Sequence, residues 1–332
     1  MILVAQNGQS SIFFDTNEHM AEQLSGEISS RDLMASVARA YYLDNVSKVD
    51  IADRLAISRH KVTRLLAKAV DEGIVTITIN DQGMTDPMLS ERLAAHLGLR
   101  NCYVVRTGGD QDAVRDQLGR AAAGFLSDML REGEILGLTW GRTLNAVAGH
   151  LSSLPRLTIV QLTGTLSGDL AASPIEIVRR ASQYSRGAVY PIFSPMVVRD
   201  ERTARILKND PTIRKAIDLF PAVTTAVLSV GCWNPPDTQI RSALDEAEAK
   251  RITELGCVAD IAGILVDAEG APVDPAFQRR CVAISYEELN SIPRVIAVAA
   301  GRLKAPAIQA VSNAGIITDL ITDDALALAI LP

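Results

Sequence analysis

Aromatic residues are scarce in this 332-residue chain, at 4% of the total. Ala, Leu, Ile and Val carry the apolar 48%, which suits a parallel sheet covered by helices better than an aromatic-rich β-sandwich. Cysteine is scarce too. Cys102, Cys232, Cys257 and Cys281 form no C-x-x-C pair and no cluster with histidine, so they read as reduced core thiols rather than a disulfide frame or a zinc site. No apolar run reaches the ~18 uninterrupted residues of a membrane helix, and Met1–Phe14 lacks the basic start and sustained apolar stretch of a secretory signal. A soluble, cytoplasmic chain with no membrane partner is expected. H-E-x-x-H, Walker, G-x-S-x-G and G-x-G-x-x-G motifs are all missing. His19, His60, His96 and His150 fall outside any expected pocket loop. No catalytic residue, metal site or cofactor is therefore expected.

Charge is spread unevenly. Residues 1–30 hold four acids and no Lys or Arg, and read as a flexible polar arm. Residues 31–80 hold eight basic and six acidic side chains, the only basic-leaning segment in a chain of net charge −6. Such a balance excludes a wholly basic coat but permits one local DNA-binding face.

Within residues 31–80 the pattern is helical. Leu33, Val37 and Tyr41 repeat every four residues, with Met34 and Ala38 beside them. Ser47, followed three residues later by Asp50, resembles a capping box and starts a second helix with Val49, Ala52 and Leu55 expected inward. Ala56-Ile57 turns the chain. Ser58 caps a third helix with Val62, Leu65, Leu66 and Ala69 inward; Gly73 ends it, and the β-branched run Ile74–Ile79 reads as a strand. This is the order of a winged helix-turn-helix. The third helix carries Arg59, His60, Lys61, Thr63, Arg64 and Lys68, and no acid appears between Ser58 and Val70. A helix fits the major groove, where Arg or Lys pairs with guanine and Thr63 reaches a base edge or a methyl. Lys48 and Ser58 begin helices whose N-termini can hold phosphate.

Residues 81–98 are expected to hold a linker helix (Asp86 to Leu97), and 99–332 a larger Rossmann-like α/β domain with a mostly parallel sheet. Strands are expected at Cys102–Arg106, Ile135–Thr139, Thr158–Leu162, Val189–Phe193, Thr225–Val230, Ile261–Asp267, Val295–Ala299 and Ile317–Thr322, alternating with helices. Ligands bind such sheets where loops leave the carboxyl ends of the strands.

Several ordered motifs then resemble the SorC family of sugar-responsive regulators. They include Val49-Asp50-Ile51-Ala52-Asp53-Arg54-Leu55-Ala56-Ile57-Ser58-Arg59, Gly137-Leu138-Thr139-Trp140-Gly141-Arg142-Thr143-Leu144 and Ile292-Pro293-Arg294-Val295-Ile296-Ala297-Val298-Ala299. The likeness spans about residues 33–331. It implies control of sugar or polyol catabolic genes, operator DNA and a sugar or sugar-phosphate effector as partners, and a homo-oligomer, dimer or tetramer.

The expected effector site centres on Thr139, Trp140, Gly141, Arg142 and Thr143. Gly141 lets the backbone approach a ligand, the following helix N-terminus favours an anion, and Arg142 offers a charged fork. Trp140 either stacks on a sugar or covers the loop. Lys304, after Gly301, either reaches the same anion or is a surface lysine. The resemblance adds Asp260 as an acceptor of sugar hydroxyls, the alternative being a strand-edge carboxylate facing water, and places Gly164 at the site. Where the family often has Gly-Gly, Gly-Ile-Gly and a further glycine pair, this chain has Thr163-Gly164-Thr165, Val230-Gly231-Cys232 and Ala299-Ala300-Gly301. These bulkier residues leave both phosphorylated and unphosphorylated effectors open.

Overall fold

Two units, residues 1–81 and 82–332, organise the computed structural model. The structure describes residues 2–4, 30–78, 83–166 and 173–332. The expected arm therefore lies almost wholly outside the described residues. Its described part is β1 (Ile2–Val4), which pairs antiparallel with β2 (Thr76–Thr78). Three apolar residues in a polar stretch are too short a pattern to read as a strand.

Between these strands lie α1 (Ser30–Tyr42), α2 (Lys48–Arg54) and α3 (Arg59–Asp71). They enclose a core of Met34, Val37, Ala38, Ile51, Ala52, Val62, Leu66, Ala69 and Val75. Ser47 Oγ accepts from the Asp50 N–H and donates its own hydroxyl to Asp50 Oδ2 at 2.7 Å, so the cap forms without the reciprocal arm of a full box. Ala56 turns the chain at φ +50. One expectation fails here. Val49 and Leu55 are 49% and 38% exposed, while Ile51 and Ala52 face inward. Ala52 is inward as expected, and the buried stripe of this short helix is turned by about half a residue, roughly 50°, toward Ile51.

The second unit opens with α4 (Pro87–Leu97), β3 (Asn101–Val105), α5 (Gln111–Met129), β4 (Ile135–Leu138), α6 (Arg142–His150), β5 (Thr158–Gln161), α7 (Pro174–Ser185) and β6 (Val189–Tyr190). It continues with α8 (Glu201–Lys208), α9 (Pro211–Ile217), β7 (Thr225–Cys232), α10 (Gln239–Ala243), α11 (Glu246–Glu254), β8 (Ala259–Ile261) and β9 (Ile264–Val266). It closes with α12 (Pro275–Arg279), α13 (Tyr286–Asn290), β10 (Arg294–Ala299), α14 (Ala305–Asn313), β11 (Asp319–Asp323) and α15 (Asp324–Ile330).

Seven strands pair in parallel in the order β3-β11-β10-β7-β4-β5-β6. Alternation along a strand feeds two cores. From β10, Val295, Ala297 and Ala299 enter one, and Ile296 and Val298 the other. The winding reverses between β4 and β7: β5 and β6 extend to one side, β10 and β11 to the other. Such a switch point leaves a crevice where the outgoing loops diverge.

Two sequence expectations change. Ile261–Asp267 is not one parallel strand; β8 and β9 form an antiparallel hairpin continuing the end of β7. Ala262 and Gly263 both take positive φ, +53 and +91, the requirement of a two-residue hairpin turn, and an apolar run hides that turn. The segment expected as a linker helix belongs to the second unit. Leu89, Leu93 and Leu97 share a core with Cys102 and Val104, and Ser90 Oγ accepts the Val104 N–H at 2.9 Å. All four cysteines are free and buried, and burial pushes the Cys102 and Cys281 thiols up to about 12.

Candidate functional site

In the first unit, burial of Val62, Leu66 and Ala69 fixes the orientation of α3. Arg59, His60, Lys61, Thr63, Arg64 and Lys68 consequently lie exposed. Ser58 Oγ accepts the Lys61 N–H at 3.2 Å, a cap that does not use its hydroxyl hydrogen, which can still be donated to a phosphate. The Thr63 hydroxyl donates to the Arg59 carbonyl at 3.2 Å, and Lys68 meets Glu72 at 3.3 Å. Lys48 sits 5.2 Å over the Tyr41 ring. Among the described residues, the exposed cationic face of α3 is thus Arg59, Lys61 and Arg64, with Lys68 partly neutralised.

In the second unit a cavity of about 620 Å³ lies across the carboxyl ends of β4, β7, β10 and β11 and the start of α5, spanning the switch point. Thr139, Trp140, Gly141, Arg142, Thr143, Asp260 and Lys304 all line it. Gly164 is not among its lining residues. The strand before it, β5, lies beyond β4 on the side away from β7, and Gly164 packs so tightly on the backbone of Ser194, Pro195 and Met196 that a β-carbon would collide there. Thr163 is likewise buried away from the cavity, whereas Val230, Gly231, Ala300 and Gly301 reach it.

Gly141 has a specific reason to be glycine. Its φ is +143, and a β-carbon would run into Ser229 Oγ, whose hydroxyl donates to the Trp140 carbonyl at 2.6 Å. The residue thus serves a close approach of chain to chain. Trp140 lines the cavity but is only 6% exposed, packed in a cluster with Met196, Trp233 and Ile240. It covers the loop.

The sequence reading missed Asp237. This carboxylate, on the loop leaving β7, pairs through one oxygen with Arg142 and through the other with Lys304 Nζ at 3.2 Å. Lys304 Nζ also donates to the Val230 carbonyl at 2.5 Å, so it is a cavity-wall cation with a 14% exposed side chain rather than a surface lysine. Burial pushes the Asp237 carboxyl up, but Lys304 and Arg142 outweigh it and hold the group below its ordinary value. The only sequence signal for Asp237 is its place after the turn residues Asn234-Pro235-Pro236 at a strand end.

Asp260 lies opposite Gly231 across the β7–β8 register. It is 3% exposed, and its Oδ1 has no hydrogen-bond partner among the described residues. Burial pushes its carboxyl up to about 6, against the Thr238 hydroxyl and Lys304, which favour the charged form, and with Asp237, which opposes it. Gly231 is what lets Asp260 sit there, since a β-carbon would strike Oδ1. Burial also raises Asp323, although the Gly301 N–H donates to it at 2.9 Å. The cavity therefore combines fixed cations, carboxylate acceptors and an apolar wall, the composition of a site for a small polar molecule.

Residues 84–332 match a family model described as "Putative sugar-binding domain". The chain is 30% identical over 308 residues to the transcriptional regulator LsrR of Enterobacter sp. (strain 638), covering 92% of this chain and 94% of that one. It is 28% identical over 305 residues to the erythritol catabolism regulatory protein EryD of Brucella abortus (strain 2308), covering 90% and 96%. The full-length sorbitol operon regulator SorC from Klebsiella pneumoniae shares the fold, with a TM-score of 0.69 at 20% identity over 91% of this chain and 99% of that one. With a sugar-binding domain model over most of its length and regulators matching it nearly end to end, the chain belongs to the SorC family of transcriptional regulators.

Proposed function

We propose that this protein controls carbohydrate or polyol catabolic genes by binding operator DNA through α3 and releasing or retaining it according to a small effector in the β4–β7 cavity. One observation carries the reading: a helix in one unit whose first twelve residues, 59–70, hold an exposed basic face and no acid accompanies, in the other, a cavity at a sheet switch point lined by Arg142, Asp237, Asp260 and Lys304. Arg59, His60, Lys61, Thr63 and Arg64 would contact DNA, with Lys68, Ser58 and Lys48 at the periphery. Two copies would place two such helices on two half-sites, so a homo-oligomer is part of the proposal. The effector acts only through a difference in its affinity for the DNA-bound and free arrangements.

The test is retention of a promoter fragment by the full chain, titrated with sugars, polyols and their phosphates. A compound should change retention in the wild type and fail to do so in Arg142→Ala, while that variant still binds DNA. Simultaneous loss of DNA binding and effector response would assign Arg142 to folding instead.

A further inference from the structure

The arrangement around Asp237 narrows the class of ligand, and this step rests on the reading of the cavity as the effector site. A guanidinium fork and an ammonium on one side of a cavity are ordinarily what holds a phosphate. Here both meet a carboxylate of the chain itself, Arg142 at one oxygen and Lys304 at the other. Lys304 is committed further, to the Val230 carbonyl, on a side chain largely withdrawn from solvent. The wider lining supplies no surplus of positive charge. Among the described residues, Arg115, Arg142, Arg302 and Lys304 face Asp110, Asp237, Asp260 and Asp323. Arg115 is itself paired with Asp112 at 2.6 Å and Gln111 at 2.9 Å, and Arg302 lies at the exposed rim. A phosphate dianion entering this lining would meet Asp237 at the cation pair and Asp260 behind it.

What the lining does offer is acceptors. Asp260 Oδ1 is buried at the cavity wall without a partner among the described residues, a costly position unless a donor arrives. Asp237 spends one contact per oxygen on its cations, and each carboxylate oxygen has a second lone pair to give. The hydroxyls of a sugar or polyol are donors of the kind such acceptors take. We propose that Asp237 is a built-in counter-ion that fills the anion position between Arg142 and Lys304, so that the cavity takes an uncharged sugar or polyol whose hydroxyls donate to Asp237 and Asp260. In this arrangement Arg142 and Lys304 orient the carboxylate and do not receive a phosphate.

The experiment compares the full-length wild type with Asp237→Asn by thermal melting and calorimetric titration. The probes are inorganic phosphate, erythritol, ribitol and glucitol, and glucitol 6-phosphate. The wild type should ignore inorganic phosphate and bind a free polyol more tightly than the phosphorylated one. Asp237→Asn, with its cation pair uncovered, should gain phosphate affinity by at least about tenfold and lose polyol affinity by a similar factor. Asp237→Ser repeats the test in a smaller neutral side chain should the amide variant misfold. Phosphate binding to the wild type as tight as to the variant would overturn the counter-ion, and so would a preference of the wild type for glucitol 6-phosphate over glucitol. Failure of the effector reading itself is visible separately, as promoter retention that no compound changes whichever residue stands at 237.

Discussion

Replacing Asp260 by Asn should make the protein more stable at neutral pH and no more stable in acid. The carboxyl is 3% exposed, and burial pushes it up to about 6 from an ordinary value of 3.8. A rise of that size disfavours the charged form by about 3 kcal/mol relative to the neutral one, at roughly 1.4 kcal/mol per pH unit. The sign follows from proton counting. Between the ordinary value and about 6 the folded protein holds a proton that the unfolded chain has lost, so stability falls as pH rises through that window and levels off above it. Asparagine copies the shape of the neutral acid and cannot ionise. The gain should therefore approach about 3 kcal/mol at about pH 7.5 and vanish near about pH 4, less whatever its amide loses where Oδ1 found no partner. For a domain of this size, a rise of roughly 6–12 °C in the melting temperature of the larger unit is the upper bound. Calorimetric melting of both proteins across this pH range is the assay. An Asn variant that melts below the wild type at about pH 7.5 by more than it does near about pH 4 would show that the charged carboxylate supports the fold, and the reasoning would fail. A stabilised variant that has also lost its response to polyol would show stability given up for binding.

The glycine at 141 provides a second check. Gly141→Ala should lose about 1–3 kcal/mol from its φ alone, and more from collision with Ser229 Oγ. Gly301→Ala, whose β-carbon would meet nothing within 4 Å, should lose only the backbone part; equal losses in the two variants would contradict the packing argument. In the first unit, Ser58→Ala removes the acceptor for the Lys61 N–H and should destabilise that unit by about 1 kcal/mol, read as a shift of its melting transition; an unchanged transition would mean the cap is dispensable. Arg64→Ala should weaken promoter binding by about 1–3 kcal/mol and relax base preference at one position, if that side chain reads a base. A uniform loss across sequences, with a shallower salt dependence, would instead make Arg64 a phosphate contact.

The alternation of apolar strands with helices made the parallel sheet readable, because both of its faces are covered and its strands run continuously apolar. The β8–β9 hairpin escaped that logic for the same reason: Ile261–Asp267 stays apolar straight through a turn that only the dihedrals of Ala262 and Gly263 reveal. The helix Pro87–Leu97 was readable as a helix but not in its place. The spacing of Leu89, Leu93 and Leu97 promises a buried face without naming what buries it. At the cavity, Thr139–Thr143 were legible because they join an apolar strand to a helix, Lys304 because it follows Gly301 ahead of a helix, and Asp260 only through the family resemblance. Gly164 stands at a strand end too, but on the far side of β4, and strand order is invisible to periodicity. Asp237 lies 95 residues from Arg142, and only the closing of β4, β7 and β10 side by side brings the two together.

The burial of the cysteines gives the molecule an internal reporter. None of the four thiols is more than 6% exposed, and burial suppresses the reactive thiolate as well as access to it. A thiol-reactive dye should therefore leave the native protein dark and label it only as fast as the larger unit opens, so that labelling rate measures that opening and a bound effector slows it. The same silence frees the rest of the surface: one cysteine placed on the exposed face of α3 would be the single fast-reacting position in the chain, ready to carry a fluorophore to the helix that meets DNA.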